Sequence, residues 1–265
     1  MAEGHPALHG TGLHARLGRS DDRPLRRLLS PAMTLSLIHV QPASGTVAAL
    51  TATAGVAVGG YVHHAWRGLG ACATQGLATN PWYPEDVRHA LTQGRTARQA
   101  LDQVTSQDDG AARRQCLVMD AGGRAEVHSG EANLPVVAAE LRPTVAAAGN
   151  MLAGDRVVAT LLQRFLTLTC DNPHEAWARN AAPRYRDDYE SRLLETLIEA
   201  LDAALDAGGD RRGTRSVALR IESFDAAPID LRVDWDERPV EALRSLAGRV
   251  RALDFAEFLA SLPRR

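Results

Sequence analysis

From Met33 onward, apolar and polar positions fall into short alternating runs separated by turn residues. Thr34-Leu-Ser-Leu-Ile-His-Val40 alternates every second residue, the period of a half-buried strand. Pro42-Ala-Ser-Gly45 reads as a turn, and Thr46–Thr53 continues as a second strand, so the pair predicts a hairpin. A glycine-rich passage leads to a further apolar strand, Leu69-Gly-Ala-Cys-Ala-Thr-Gln75, which Asn80-Pro81 interrupts. Two helices follow. Pro84 opens the first, over 84–93, with Gly94 as its stop. Thr96 caps the second, which runs to about Val104 with Ala97, Ala100, Leu101 and Val104 inward.

A strand over 115–119, a turn at Asp120-Ala-Gly-Gly123 and a strand ending near His128 form a second hairpin. Thr144–Gly149 is another apolar run. Helices are expected over 155–169 and 189–207, the latter with Leu193, Leu194, Leu197, Ile198, Leu201 and Leu205 on one face. Strands over 217–222 and 229–233 come next, then a terminal helix over 240–251 opened by Pro239. Strands arriving in hairpins with helices inserted in pairs argue against a parallel doubly wound sheet, where single helices alternate with strands. They suit an α+β arrangement of two stacked antiparallel sheets covered by helices.

Residues 1–32 break this pattern. They hold His5, His9 and His14, five arginines and three prolines without a sustained apolar period. Such a stretch buries too little surface to offset its ordering entropy, so it reads as a disordered extension or a mis-assigned start, with one domain over 33–265. Its Gly10-Thr-Gly12 resembles a nucleotide fingerprint but has no strand before it.

Composition narrows the chemistry. The 265 residues are 45% hydrophobic and 23% charged with net charge −2, so no global field favours nucleic acid or an anionic membrane. No window reaches the ~20 continuous apolar residues of a spanning helix, and no secretion pattern opens the chain; the expected location is cytoplasmic. Cys72, Cys116 and Cys170 lie far apart in apolar segments and read as buried thiols rather than a disulfide or zinc set. There is no lysine, which excludes a pyridoxal Schiff base, a P-loop lysine and a Ser–Lys dyad. His63 and His64 are adjacent on an extended segment and point to opposite faces, which argues against a shared metal. No metal or cofactor is expected. The expected partner is a small-molecule substrate, with neither nucleic acid nor membrane. Broad exposed sheets and helices allow a homo-oligomer but mark no interface.

Several blocks in order carry a family likeness: Met33-Thr-Leu-Ser36, Leu69-Gly-Ala-Cys-Ala-Thr-Gln75 with Thr79-Asn-Pro81, Arg114-Gln115, and Val118-Met-Asp-Ala-Gly-Gly-Arg124. His128-Ser-Gly130, Gly149-Asn-Met-Leu-Ala-Gly154, Gly208-Gly-Asp-Arg-Arg-Gly213 and Leu231-Arg-Val-Asp234 complete the set. Through these the chain resembles the bacterial family called domain of unknown function 1028, assigned to the Ntn-hydrolase superfamily. The resemblance implies a four-layer αββα sandwich and a hydrolase in which Thr34 is residue one of the mature chain. Its α-amine, with an ordinary pKa of ~7.7–8, then acts as base for its own hydroxyl. The implied reaction is cleavage of a small linear amide; the alternative is a non-catalytic member that binds a metabolite or a protein. If residues 1–32 remain attached, that amine is locked in a peptide bond.

Around Thr34 the candidate site-lining residues are Ser36, Gln75, Asn80, His128, Asn150, Asp210 and Arg211. Gln75, Asn80 and Asn150 offer amides to an oxyanion, and Asp210-Arg211 offers an anion clamp. Against these stand plainer roles: Asn80 as a turn former before Pro81, His128 as a structural histidine closing a hairpin, Asp210-Arg211 as a salt-bridged loop. The family often carries Arg or Lys after the position of Thr53, where this chain has Ala54, so Arg67 or Arg114 is left to lower the nucleophile's pKa.

Overall fold

The first hairpin forms as the period predicts, β1 (Thr34–Gln41) pairing with β2 (Thr46–Thr53), but neither strand is half-buried: nearly every residue of both is buried. The computed structural model describes residues 34–209 and 213–263, and in it β1 and β2 lie at the centre of a six-stranded antiparallel sheet. Its order is β10 (Ile229–Val233), β9 (Ser216–Glu222), β2, β1, β8 (Val145–Asn150) and β7 (Ala138–Arg142). A second antiparallel sheet of four strands runs β3 (His63–Trp66), β4 (Gly70–Gly76), β5 (Arg114–Asp120) and β6 (Ala125–Ser129). The expected extension, its Gly10 motif, and the residues Asp210 and Arg211 lie outside the described residues.

Seven α-helices are present among the described residues, and the architecture is α+β. α1 (Tyr83–Thr92) and α2 (Ala97–Ser106) cover the four-stranded sheet, packing Tyr83, Val87, Leu91, Leu101 and Val104 on Cys72, Cys116 and Val118. α2 starts where its cap demands: the Gln99 amide donates to Thr96 Oγ1 at 3.3 Å, and Thr96 N–H donates to Gln99 Oε1 at 3.0 Å. α3 (Arg156–Thr169), α5 (Leu193–Asp206) and α6 (Pro239–Val250) cover the six-stranded sheet, where Leu161, Leu162, Phe165, Leu197 and Leu201 meet Leu35, Leu37, Leu50 and Leu219. Each such buried side chain removes enough apolar surface to favour folding by ~1.5–3 kcal/mol. α4 (Pro173–Ala178) is short, and α7 (Leu253–Ser261) follows α6, so α6 is not the terminal helix that the sequence suggested. No helix among the described residues is long and apolar enough to cross a membrane.

The two sheets face each other through small side chains. Ile38, Val40, Ala49, Ala71, Ala73, Leu117, Ala146, Ala148 and Ala218 form this inner layer, and its alanines let the sheets approach closely. The period-two rule then decides what else points inward. On β1 the even-numbered residues do, which brings Thr34 and Ser36 into the inner layer. Leu35 and Leu37 go to the helix side.

Candidate functional site

Following the same alternation along every strand gathers polar residues at one end of the inner layer. Thr34 sits opposite Thr53 on β2 and opposite Asn150 on β8, at the start of β1. One step in, Ser36 pairs with Thr51 and Ala148. From the other sheet, Gln75 on β4 lies opposite Gln115 on β5. All these polar side chains are buried, Thr34 being 7% exposed and Ser36, Thr51, Gln115 and Asn150 fully enclosed.

Hydrogen bonds join them across the sheets. Ser36 Oγ lies 2.7 Å from Gln75 Oε1 and 3.0 Å from Thr51 Oγ1. The amide oxygen has no proton to give, so the Ser36 hydroxyl donates to Gln75. Gln75 Nε2 donates to Gln115 Oε1 at 2.6 Å and to the carbonyl of Ala148 at 3.2 Å. Gln115 Nε2 donates to Ser129 Oγ at 3.0 Å and to the Gly149 carbonyl at 3.1 Å. Asn150 Nδ2 donates to the same Gln115 Oε1 at 3.2 Å. Thr34 Oγ1 touches this group only at its margin, 3.4 Å from Thr53 Oγ1.

One acceptor is left over. Asn150 Oδ1 is buried without a hydrogen-bond partner among the described residues, beside Thr34 in the register. An unmet buried polar atom costs ~1–3 kcal/mol, so in a native fold it calls for a water, an ion, a ligand or a catalytic role.

Of the residues expected near Thr34, the structure therefore brings Ser36, Gln75 and Asn150 together with it. Asn80 and His128 stand apart. Asn80 Nδ2 donates to Asp108 Oδ2 at 3.1 Å, and its Oδ1 accepts from Trp82 N–H at 3.0 Å, the turn-forming role ahead of α1. His128 Nε2 is 2.9 Å from the Ala111 carbonyl, which ties the β6 strand to the loop before β5. Arg114 is held by Asp108, 2.9 Å away, and by the Ala78 carbonyl. That arginine, ahead of the Tyr83 and Asn80 hydrogen bonds, holds the Asp108 carboxyl well below the usual carboxylate range. Arg67 sits at the other end of the sandwich with Glu222, far along the register from Thr53.

Gln115 was not singled out from the sequence, although it is the hub of the network. Its signal was legible: it is a lone amide at the start of an otherwise apolar run, Gln115-Cys-Leu-Val-Met, as Gln75 is at the end of one. Cys72 and Cys116 are both buried and free, with sulfurs 3.8 Å apart on the helix side of their sheet, and mutual contact with burial pushes the Cys72 thiol up. Among the described residues no group of three or more His, Cys, Asp or Glu is placed to hold a metal ion.

Comparison with known proteins adds two findings. The model of a family of unknown function, DUF1028, matches residues 34–243. The crystal structure of a DUF1028 protein from Silicibacter pomeroyi superposes with a TM-score of 0.73 at 28% identity, over 88% of this chain and 92% of that one. No curated protein matches.

Proposed function

The chain belongs to the DUF1028 family, and on that footing we propose that it is an N-terminal-nucleophile amidohydrolase of the Ntn-hydrolase superfamily, cleaving a small linear amide through Thr34. The observation that carries the reading is the placement of Thr34. It heads the central strand at the end of a buried amide cluster, with the unspent Asn150 Oδ1 beside it.

The chemistry requires that the peptide bond between Met33 and Thr34 be absent, either by initiation at Met33 and loss of that methionine or by cleavage. The α-amine so released has an ordinary pKa of ~7.7–8, so roughly a quarter to two fifths of it is neutral near pH 7.5. It takes the proton from Thr34 Oγ1 as the oxygen attacks the substrate carbonyl. The amine gives that proton to the leaving nitrogen, an ester on Thr34 remains, and water then hydrolyses it. Asn150 Oδ1 is the acceptor placed to orient the amine. The Ser36–Gln75–Gln115 network keeps Asn150 and the β1 terminus in position.

One feature favours the non-catalytic alternative: the Nε2 groups of Gln75 and Gln115 already have acceptors within the protein. Two preparations separate the readings, a chain beginning at Thr34 and the full-length chain, each assayed for amine release from a panel of small linear amides. Turnover confined to the chain beginning at Thr34 supports the hydrolase. Inactivity of both leaves the binding protein, and equal activity removes the amine from the mechanism.

A further inference from the structure

The six-stranded sheet is wider than the four-stranded sheet facing it. β3, an edge strand, packs on β2 and β9, and β10 lies one strand further out. Where the sheets cease to cover each other, the inner layer turns from alanine to charge: Arg220 and Glu222 on β9, Asp230 on β10. A cavity of about 590 Å³ opens here, lined among others by His63, His64, Trp66, Arg88, Arg220 and Glu222. That volume is in the ~300–1,000 Å³ range of small-molecule sites. The place is remote from Thr34, since Glu222 and Ser216 mark opposite ends of β9 and only Ser216 is aligned with Thr53.

Most of the charge at the cavity is spent. Arg220 bonds Glu222 Oε1 at 2.6 Å and Asp230 Oδ2 at 2.6 Å, and the Arg67 guanidinium Nε lies 3.5 Å from Glu222 Oε2. Two arginines thus balance two carboxylates. Arg88, from α1, makes no ion pair or side-chain hydrogen bond among the described residues and leaves a net positive charge at the rim. The histidines are also unspent. Both ring nitrogens of His63, which is 5% exposed, are buried without a partner among the described residues, as is Nε2 of His64. His63 and His64 point to opposite faces of β3, yet both line this cavity, because it wraps the edge of the strand. The His64 ring stacks on Trp66 at 5.9 Å, which stiffens that wall.

We propose that this cavity binds a small organic carboxylate carrying a hydroxyl or amine group. The carboxylate pairs with Arg88. Burial, then the neighbouring His64, Arg220 and Arg232, hold His63 neutral, with a pKa of about 3, so it presents one N–H and one lone pair. A ligand that both accepts and donates satisfies the two. Both His63 nitrogens are enclosed in this conformation, so a ligand in the cavity reaches them only with a local shift of the wall.

Calorimetric titration of the full chain tests this, with L-malate as the probe and acetate, a carboxylate without a hydroxyl, as the control. Binding is read without turnover, so its outcome is separate from the fate of the hydrolase reading. L-malate should bind saturably, at least about tenfold more tightly than acetate. Arg88→Ala, an exposed-helix change, should weaken it about tenfold or more. His63→Phe keeps a ring in place while removing both nitrogens, and should weaken L-malate without lowering the melting temperature. No saturable binding up to about 10 mM overturns the proposal. So does equal affinity for acetate, or an affinity for L-malate that either variant leaves unchanged.

Discussion

Thr34→Ala, introduced into a chain that begins at residue 34, should lower amide turnover by at least about a thousandfold, the scale on which loss of a nucleophile acts. It should do so without unfolding the protein. Among the described residues the Thr34 hydroxyl has one long hydrogen bond, 3.4 Å to Thr53 Oγ1, and the side chain stands at the strand terminus. Losing such a bond costs no more than about 1 kcal/mol. The expected signature is a collapse of kcat with an almost unchanged melting temperature. Thr34→Ser keeps the hydroxyl and the amine and should retain measurable turnover. The pair of variants separates chemistry from packing, because Ala and Ser are alike in losing the threonine methyl. Undiminished turnover in Thr34→Ala would remove Thr34 as nucleophile.

The second large effect is on stability in acid. His39 lies on the helix side of β1, fully buried between Phe165, Tyr185 and Tyr189. Its Nδ1 is 2.8 Å from the Thr144 carbonyl, which only accepts, so Nδ1 carries the proton and Nε2, 3.2 Å from the Tyr189 hydroxyl, is the acceptor. Burial pulls its pKa down from 6.5 to about 4, against the smaller upward pull of the Thr144 hydrogen bond. The folded state therefore resists a proton that the unfolded chain takes readily. His39 costs the fold nothing above pH 6.5, and the penalty grows as pH falls from there toward about 4. At ~1.4 kcal/mol per pH unit the loss reaches about 3 kcal/mol. His63, pushed down to about 3, extends the same trend to lower pH. Urea unfolding of the wild type and of His39→Leu across this range provides the check. The variant starts lower at neutral pH, having lost the His39 hydrogen bonds to the Thr144 carbonyl and the Tyr189 hydroxyl, but should lose about 3 kcal/mol less on acidification. Equal losses in the two proteins would show that His39 is not the group responsible.

How much of this was legible beforehand depends on how local the cause is. The β1–β2 hairpin and α2 follow from turn residues and a capping box within a few positions of each other, and both form where the sequence places them. Strand β7 escaped because Ala138–Arg142, Ala-Ala-Glu-Leu-Arg, has no alternation and no β-branched residue, and β3 was legible only as an extended segment at His63-His64. The alternation of β1 was read as half-burial because Ser36 and His39 are polar. Those residues are in fact buried, satisfied by Gln75, thirty-nine residues away, and by Tyr189, 150 residues away. Such compensation is invisible to any local window. It also explains the division among the site candidates. Ser36, Gln75 and Asn150 share the inner face of their strands and converge. Asn80 and His128 have their partners in neighbouring loops and do not.

The whole catalytic account turns on whether Thr34 carries a free amine in the cell. Mass spectrometry of the N-terminus, on protein isolated from its native host, measures this directly. A chain whose first residue is Thr34 is the predicted result; a population in which every molecule still carries residues ahead of Thr34 would contradict it.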